Sequence, residues 1–312
     1  MTFVSGIELS RRFYTEVVAP RVGEPHSAAL LGPGSEVLGF DTERSTDHDW
    51  TARVFLFLPE VRAPEVPGTF LGHPTKVIVA RLDDWVHGTL GFDPRRPAVR
   101  DWLATPTQVF AEFTGGAVFH DDLGLETLRQ RVAWYPGDVW RYVLACQWQR
   151  IGQEEAFVGR CGEAGDELGS AVVAARLVRD LMRLCLLMAR RYPPYAKWLG
   201  SAFARLPAAP GLTPSLTGAL AATNWHDRER HLVAAYETVA GLHNELGLTD
   251  PVDPRTSRYY DRPFQVIHAE RFVAPLLIGR PSPVGAIDQF VDSTDALGDR
   301  ELTRRVVDCA HG

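Results

Sequence analysis

Two short patterns in this chain have residue types and spacing suited to phosphate chemistry. The first is Gly32-Pro33-Gly34-Ser35, a glycine-rich bend that follows the apolar run Ala28–Leu31. A bend of this composition lets backbone N–H groups approach phosphate oxygens, and the serine hydroxyl adds a donor. The second is Asp47-His48-Asp49, which leads into the β-rich segment Arg-Val-Phe-Leu-Phe-Leu. On a strand, residues two apart share a face, so Asp47 and Asp49 are expected side by side at a strand start. Carboxylates held that close repel unless a cation lies between them. Mg²⁺ suits such a pair, because it takes oxygen ligands and is often shared between one or two carboxylates and substrate phosphates. The pair therefore reads as a metal site, and Gly34-Ser35 as a nucleotide-phosphate site.

The elements that must position these residues can be read from periodicity. Leu9, Phe13 and Val17 recur at helical spacing over residues 7–18, and residues 28–31 form a strand entering the bend. The segment 47–58 and Lys76–Leu82 supply further strands, and Ala117–Phe119, after Gly115-Gly116, reads as an edge strand. From Pro136 the texture turns helical. Patterns cover Trp140–Ile151, Glu167–Arg191 (stopped by Tyr192-Pro193-Pro194), Ala196–Leu206, His226–Leu246 and Phe264–Ile278. The fold class expected is α+β: a small mixed-sheet domain over residues 1–135, then an all-α helical bundle over 136–312.

Composition narrows the function classes. A net charge of −6 argues against a broad basic surface for nucleic acid, while leaving room for a local positive spot facing a nucleotide. The richest apolar run, Leu181–Ala189, is broken by Arg183 and bounded by Arg190 and Arg191, so no membrane span is expected. The first residues lack the apolar core of a secretory signal, and the four cysteines are too dispersed for a disulfide framework. A cytoplasmic location is the expectation. Of 33 Lys and Arg residues only Lys76 and Lys197 are lysine, which singles out these two ammonium groups.

The order Gly-Ser, spacer, Asp-x-Asp resembles the polymerase-β-like nucleotidyltransferase superfamily. The stretch GSEVLGFDTERSTDHDW is closer still to an uncharacterised bacterial family of predicted nucleotidyltransferases, known as a domain of unknown function. The helical second half resembles the bundle of aminoglycoside and lincosamide adenylyltransferases. The resemblance implies that Asp47 and Asp49 coordinate catalytic Mg²⁺ and that Gly34 and Ser35 hold the triphosphate of ATP or another NTP. It also implies a nucleotide-binding role for Lys197 and Tyr195 on the second domain, and a general base there, assigned to Glu155. AMP would pass from ATP to a hydroxyl of a small molecule, with pyrophosphate release. Superfamily members usually carry a third acid on a neighbouring strand. Here KVIVARL carries none, Asp83 and Asp84 read as helix caps, and Glu112 is another acid in the region.

Three alternatives follow. One is a catalytically inactive, nucleotide-binding regulatory protein, which the missing acid would explain. A second is a nucleotidyltransferase acting on a protein or RNA. A third is a helical ribonuclease built on Arg262 and His268, a spacing weakened by Pro263. His48 points away from its flanking aspartates on a strand and reads as structural, and Arg44 and Ser45 read as turn residues. His226, His231 and His243 show no zinc spacing. Oligomeric state has no signal in the sequence.

Overall fold

The computed structural model describes residues 3–47, 50–277 and 282–311. The protein is α+β. Its chain divides into two units, residues 1–134 and 135–312.

The first unit begins with α1 (Gly6–Phe13), capped by Ser5. The helix loosens into a π-helical turn, Tyr14–Val18, then a 3-10 turn, Ala19–Arg21. The strands are β1 (Ser27–Leu30), β2 (Ala52–Phe57), β3 (Thr69–Phe70), β4 (His73–Ala80) and β5 (Ala117–Asp121). They form one mixed sheet in the order β3-β4-β2-β1-β5. β1 is antiparallel to β2 and β5, whereas β2 and β4 run parallel, with Arg53 opposite Lys76. The β1–β5 register slips between Ala28 and Ala29, which pair with His120 and Val118 and leave Phe119 as the extra residue of a bulge. Helices α2 (Leu82–Leu90), α3 (Val99–Ala104) and α4 (Thr107–Thr114) lie between β4 and β5, and α5 (Leu125–Arg131) follows.

β2 is buried on both faces, which is why its sequence is almost continuously apolar. Ala52, Val54 and Leu56 pack with Leu9, Phe13 and Val18 on one side. On the other, Phe55 and Phe57 meet Trp85 of α2, which stacks on Phe113 of α4. Each fully buried phenylalanine here contributes roughly 2–3 kcal/mol of transfer free energy.

The second unit comprises α6 (Gly137–Glu154), α7 (Phe157–Glu163), α8 (Glu167–Met188), α9 (Ala196–Ala204), α10 (Ala209–Ala221) and α11 (Trp225–Glu245). A two-stranded hairpin, β6 (Ser257–Arg258) and β7 (Gln265–Val266), precedes α12 (Glu270–Leu276), α13 (Ile287–Phe290), α14 (Thr294–Gly298) and α15 (Arg300–His311). Its core includes Trp148 of α6, stacked on Phe272 of α12 with ring centroids 4.3 Å apart.

Two expectations are corrected. The unit is helical apart from the short β6–β7 hairpin, and the helix expected from Phe264 starts only at Glu270, because Gln265–Val266 form β7 and the backbone then turns through His268 at φ +52°. In the first unit, β2 begins at Ala52, and the backbone of Asp47 closes a 3-10 turn, Glu43–Asp47, so Asp47 is not on a strand. Among the described residues, no helix is long and apolar enough to cross a membrane.

Candidate functional site

The Gly32–Ser35 bend leaves the end of β1, and a helical turn follows. Phe40 N–H donates to the Ser35 carbonyl at 2.8 Å, and Gly39 N–H to that of Glu36 at 3.3 Å. Two glycines are dictated by space. Gly34 has φ +146°, and a Cβ there would fall 2.4 Å from Glu36 Oε1. Gly116, with φ +67°, lets β5 approach so closely that a Cβ would fall 1.9 Å from the Leu30 carbonyl. Its N–H donates to the Val37 carbonyl at 2.7 Å, joining β5 to the turn.

A single cation ties this turn to β2. Arg53 Nη2 donates to the Pro33 carbonyl and to Glu36 Oε1, both at 2.8 Å. The Arg53 and Glu36 side chains are only 15% and 19% exposed, so the pair is well screened from water. Glu112 of α4 lies within the electrostatic reach of Arg53. Burial pushes its carboxyl up, against a hydrogen bond from Gln108 Nε2 at 2.6 Å and the Arg53 charge, which pull it down. Because β1 and β2 are antiparallel, the end of β1 and the start of β2 lie at one end of the sheet. The loop between them is held as well: Asp41 Oδ2 accepts the Gly6 N–H at 2.8 Å, and Ser45 Oγ accepts the Thr42 N–H at 3.0 Å. Ser45 is thus the turn residue its type suggested.

His48 and Asp49, and the side chain of Asp47, lie outside the described residues. Gly34 and Ser35 stand at the strand end as the sequence suggested. β4 presents Thr75 and Lys76 beside β2 and no acid. Asp83 and Asp84 occupy the first turn of α2, where they suit the helix dipole without capping it, and Asp83 accepts from Arg95 at 2.8 Å.

The other assigned residues belong to the second unit. Tyr195 precedes α9 and is 43% exposed. Lys197 is exposed in the first turn, with Nζ 4.8 Å from the centroid of the Trp198 ring. Glu155, expected as a general base, is instead buried at 6% exposure. Its oxygens accept the N–H groups of Ile267 at 2.9 Å and Ala269 at 3.2 Å. Burial raises its carboxyl to about 7, partly offset by those amides. Both oxygens are committed to tethering residues 267–269, so this geometry gives Glu155 a structural duty. Arg262 pairs with Glu163 at 3.2 Å, and His268, at φ +52°, contacts the Arg258 carbonyl. Each side chain is thus engaged with a partner other than the residue it was to act with.

Arg53 and Glu36 escaped the sequence reading. The only signal was a charged residue inside an otherwise apolar strand, a position that demands a partner.

Over residues 102–199 the chain matches the family described as "Domain of unknown function (DUF4037)". The matched stretch runs from within α3 to within α9 and includes Glu112, Glu155, Tyr195 and Lys197, but not Gly34 and Ser35. No curated protein matches the chain.

Proposed function

We propose that this protein is a Mg²⁺-dependent nucleotidyltransferase that moves AMP from ATP to a hydroxyl of a small molecule. The observation carrying this reading is the Arg53 clamp, which fastens the Gly34–Ser35 turn to the opening of β2, the strand that residues 47–49 lead into. It supports a phosphate-holding turn and an acidic pair at one end of the sheet. Glu36 by itself would repel a triphosphate; paired with Arg53, it leaves the turn free of an unbalanced negative charge. The donor set fits the metal in type, since Asp47 and Asp49 offer oxygens only.

Asp47 and Asp49 would hold Mg²⁺, which neutralises charge developing on the phosphates. The turn around Gly34 and Ser35 orients the triphosphate. The acceptor oxygen bonds to the α-phosphorus, the bond to the bridging β-phosphate oxygen breaks, and pyrophosphate leaves as the acceptor proton passes to water. A cytoplasmic location accords with this chemistry. A second reading, nucleotide binding without turnover, is favoured by the absence of an acid on β4.

The decisive experiment incubates the protein with each NTP, Mg²⁺ and a panel of hydroxyl acceptors, following pyrophosphate. Turnover that vanishes in Asp49→Asn is the expected result. Full turnover in both Asp47→Asn and Asp49→Asn overturns the assignment, and saturable nucleotide binding without pyrophosphate favours the second reading.

A further inference from the structure

At the opposite end of β1 from the Gly34 turn, a different set of donors converges. His26 immediately precedes β1, and β5 brings His120 and Asp122 beside it. The imidazoles of His26 and His120 stack with centroids 4.3 Å apart. One ligand atom each from His26, His120 and Asp122 lies within 4.8 Å of the other two. His120 and Asp122 are neighbours on one strand, but His26 lies 96 positions from Asp122, so the pairing of β5 with β1 brings the three together.

The tautomer of His26 is set for coordination. Its Nδ1 lies 2.9 Å from the Glu24 carbonyl, which can only accept, so Nδ1 carries the hydrogen and Nε2 the lone pair. A backbone carbonyl on the far nitrogen is the usual support of a metal-bound histidine. The ring is 6% exposed and its direction is fixed. Tyr14 Oη donates to His26 Nε2 at 2.9 Å, placing a fourth polar atom at the cluster. Tyr14 opens the π-helical turn that follows α1, a distortion that recurs at functional sites. Asp122 Oδ2 accepts the His26 N–H at 3.2 Å and lies 2.8 Å from His120 Nε2, so the carboxylate is oriented from both sides.

From this convergence we infer a second metal site, formed by His26, His120 and Asp122 beside Tyr14, for a divalent transition ion of the zinc class. Two imidazoles and a carboxylate select such an ion over Mg²⁺, which takes oxygen donors. A tetrahedral ion about 2.0 Å from each donor needs donor atoms about 3.3 Å apart. His120 and Asp122 side chains, 39% and 44% exposed, have the freedom to close that distance around the more rigid His26. The Nε2 lone pair of His26 passes from the Tyr14 hydroxyl to the metal. The partly exposed side of the cluster admits water as the remaining ligand. The ion would pin edge strand β5 to the start of β1, independently of the nucleotide chemistry at the other end of the sheet.

The test is a calorimetric titration of the chelator-stripped, full-length protein with Zn²⁺ alone, paired with unfolding temperatures. His120→Ala and Asp122→Asn both alter partly exposed side chains, and either gives the answer should the other misfold. The expected result is one saturable equivalent of Zn²⁺ in the wild type, retained in the Asp47→Asn/Asp49→Asn double variant. It should weaken at least about tenfold in each site variant, the scale on which metal sites respond to lost support. At the same Zn²⁺ concentration the wild-type unfolding temperature should rise more than that of His120→Ala. Absence of saturable binding by the wild type, or unchanged affinity in a folded site variant, overturns the inference.

Discussion

Arg53 and Glu36 form an ion pair at 2.8 Å in which the same guanidinium nitrogen also holds the Pro33 carbonyl, so one side chain sets both the charge and the shape of the glycine bend. Removing either partner leaves the other screened from water and unpaired. Arg53→Met and Glu36→Gln are each expected to cost about 2 kcal/mol, with a non-additive double variant. Denaturant unfolding of the four species measures the coupling. Arg53→Met should additionally weaken nucleotide binding, because it frees the turn and exposes the Glu36 charge.

Gly34→Ala meets two obstacles that can be separated. The new methyl collides with the Glu36 carboxylate, and the backbone stays at φ +146°. The expected loss is about 1–3 kcal/mol. Adding Glu36→Ala removes the collision and leaves the backbone strain, so the double variant should recover only part of the stability in thermal unfolding.

In the second unit, two buried groups oppose one another across pH. The folded Glu155 carboxyl sits at about 7, above its ordinary 4.5. The native state therefore binds the extra proton between these values, and this contribution, full below about 4.5, is lost as pH rises through 7. His243 runs the other way. Burial lowers it from 6.5 to about 4, and Nδ1 accepts from Trp148 Nε1 at 3.2 Å, a bond that protonation destroys. Its contribution is present above 6.5 and is lost as pH falls through 4. Each effect is on the order of 3 kcal/mol, so they largely cancel between about pH 4.5 and 6.5. Urea unfolding across this range should be nearly flat for the wild type. It should rise with pH in Glu155→Gln and fall with pH in His243→Leu.

Lys197→Ala tests the nucleotide-binding role that the resemblance to adenylyltransferases implies for this ammonium. The side chain is exposed, so unfolding should be unchanged while KM for the nucleotide rises about tenfold, a loss near 1.4 kcal/mol of binding. Steady-state kinetics over a nucleotide series provide the check. A fall in unfolding temperature without a change in KM assigns Lys197 to packing on Trp198.

Local composition was readable wherever local forces decide the structure. The run Arg-Val-Phe-Leu-Phe announced a strand because both its faces are covered, and Tyr192-Pro193-Pro194 ended the long helix, α8 stopping at Met188. Local composition is silent where distant side chains take over the backbone. Residues 264–269 have helical periodicity, yet Glu229 accepts the Gln265 N–H at 3.1 Å and Glu155 accepts those of Ile267 and Ala269. Carboxylates from 36 to 114 residues away thus hold these amides in a short strand followed by a turn rather than in a helix. The glycine turn was legible because conformational freedom is written in residue type. Its clamp was not, since a partner 17 residues distant leaves no mark on spacing.

The extra residue in β5 has a geometric consequence of its own. Across an antiparallel pair, opposed residues share a side, and each step along a strand reverses it. With Phe119 looped out, His120 stands opposite Ala28 and Asp121 opposite Ser27, which places Asp122 across from His26. Had β5 kept step with β1 from Val118 onward, every later residue would be half a period out of phase. Phe119 and Asp121 would then share a side with His26, and the two imidazoles would be parted by the thickness of the sheet without one amino acid having changed.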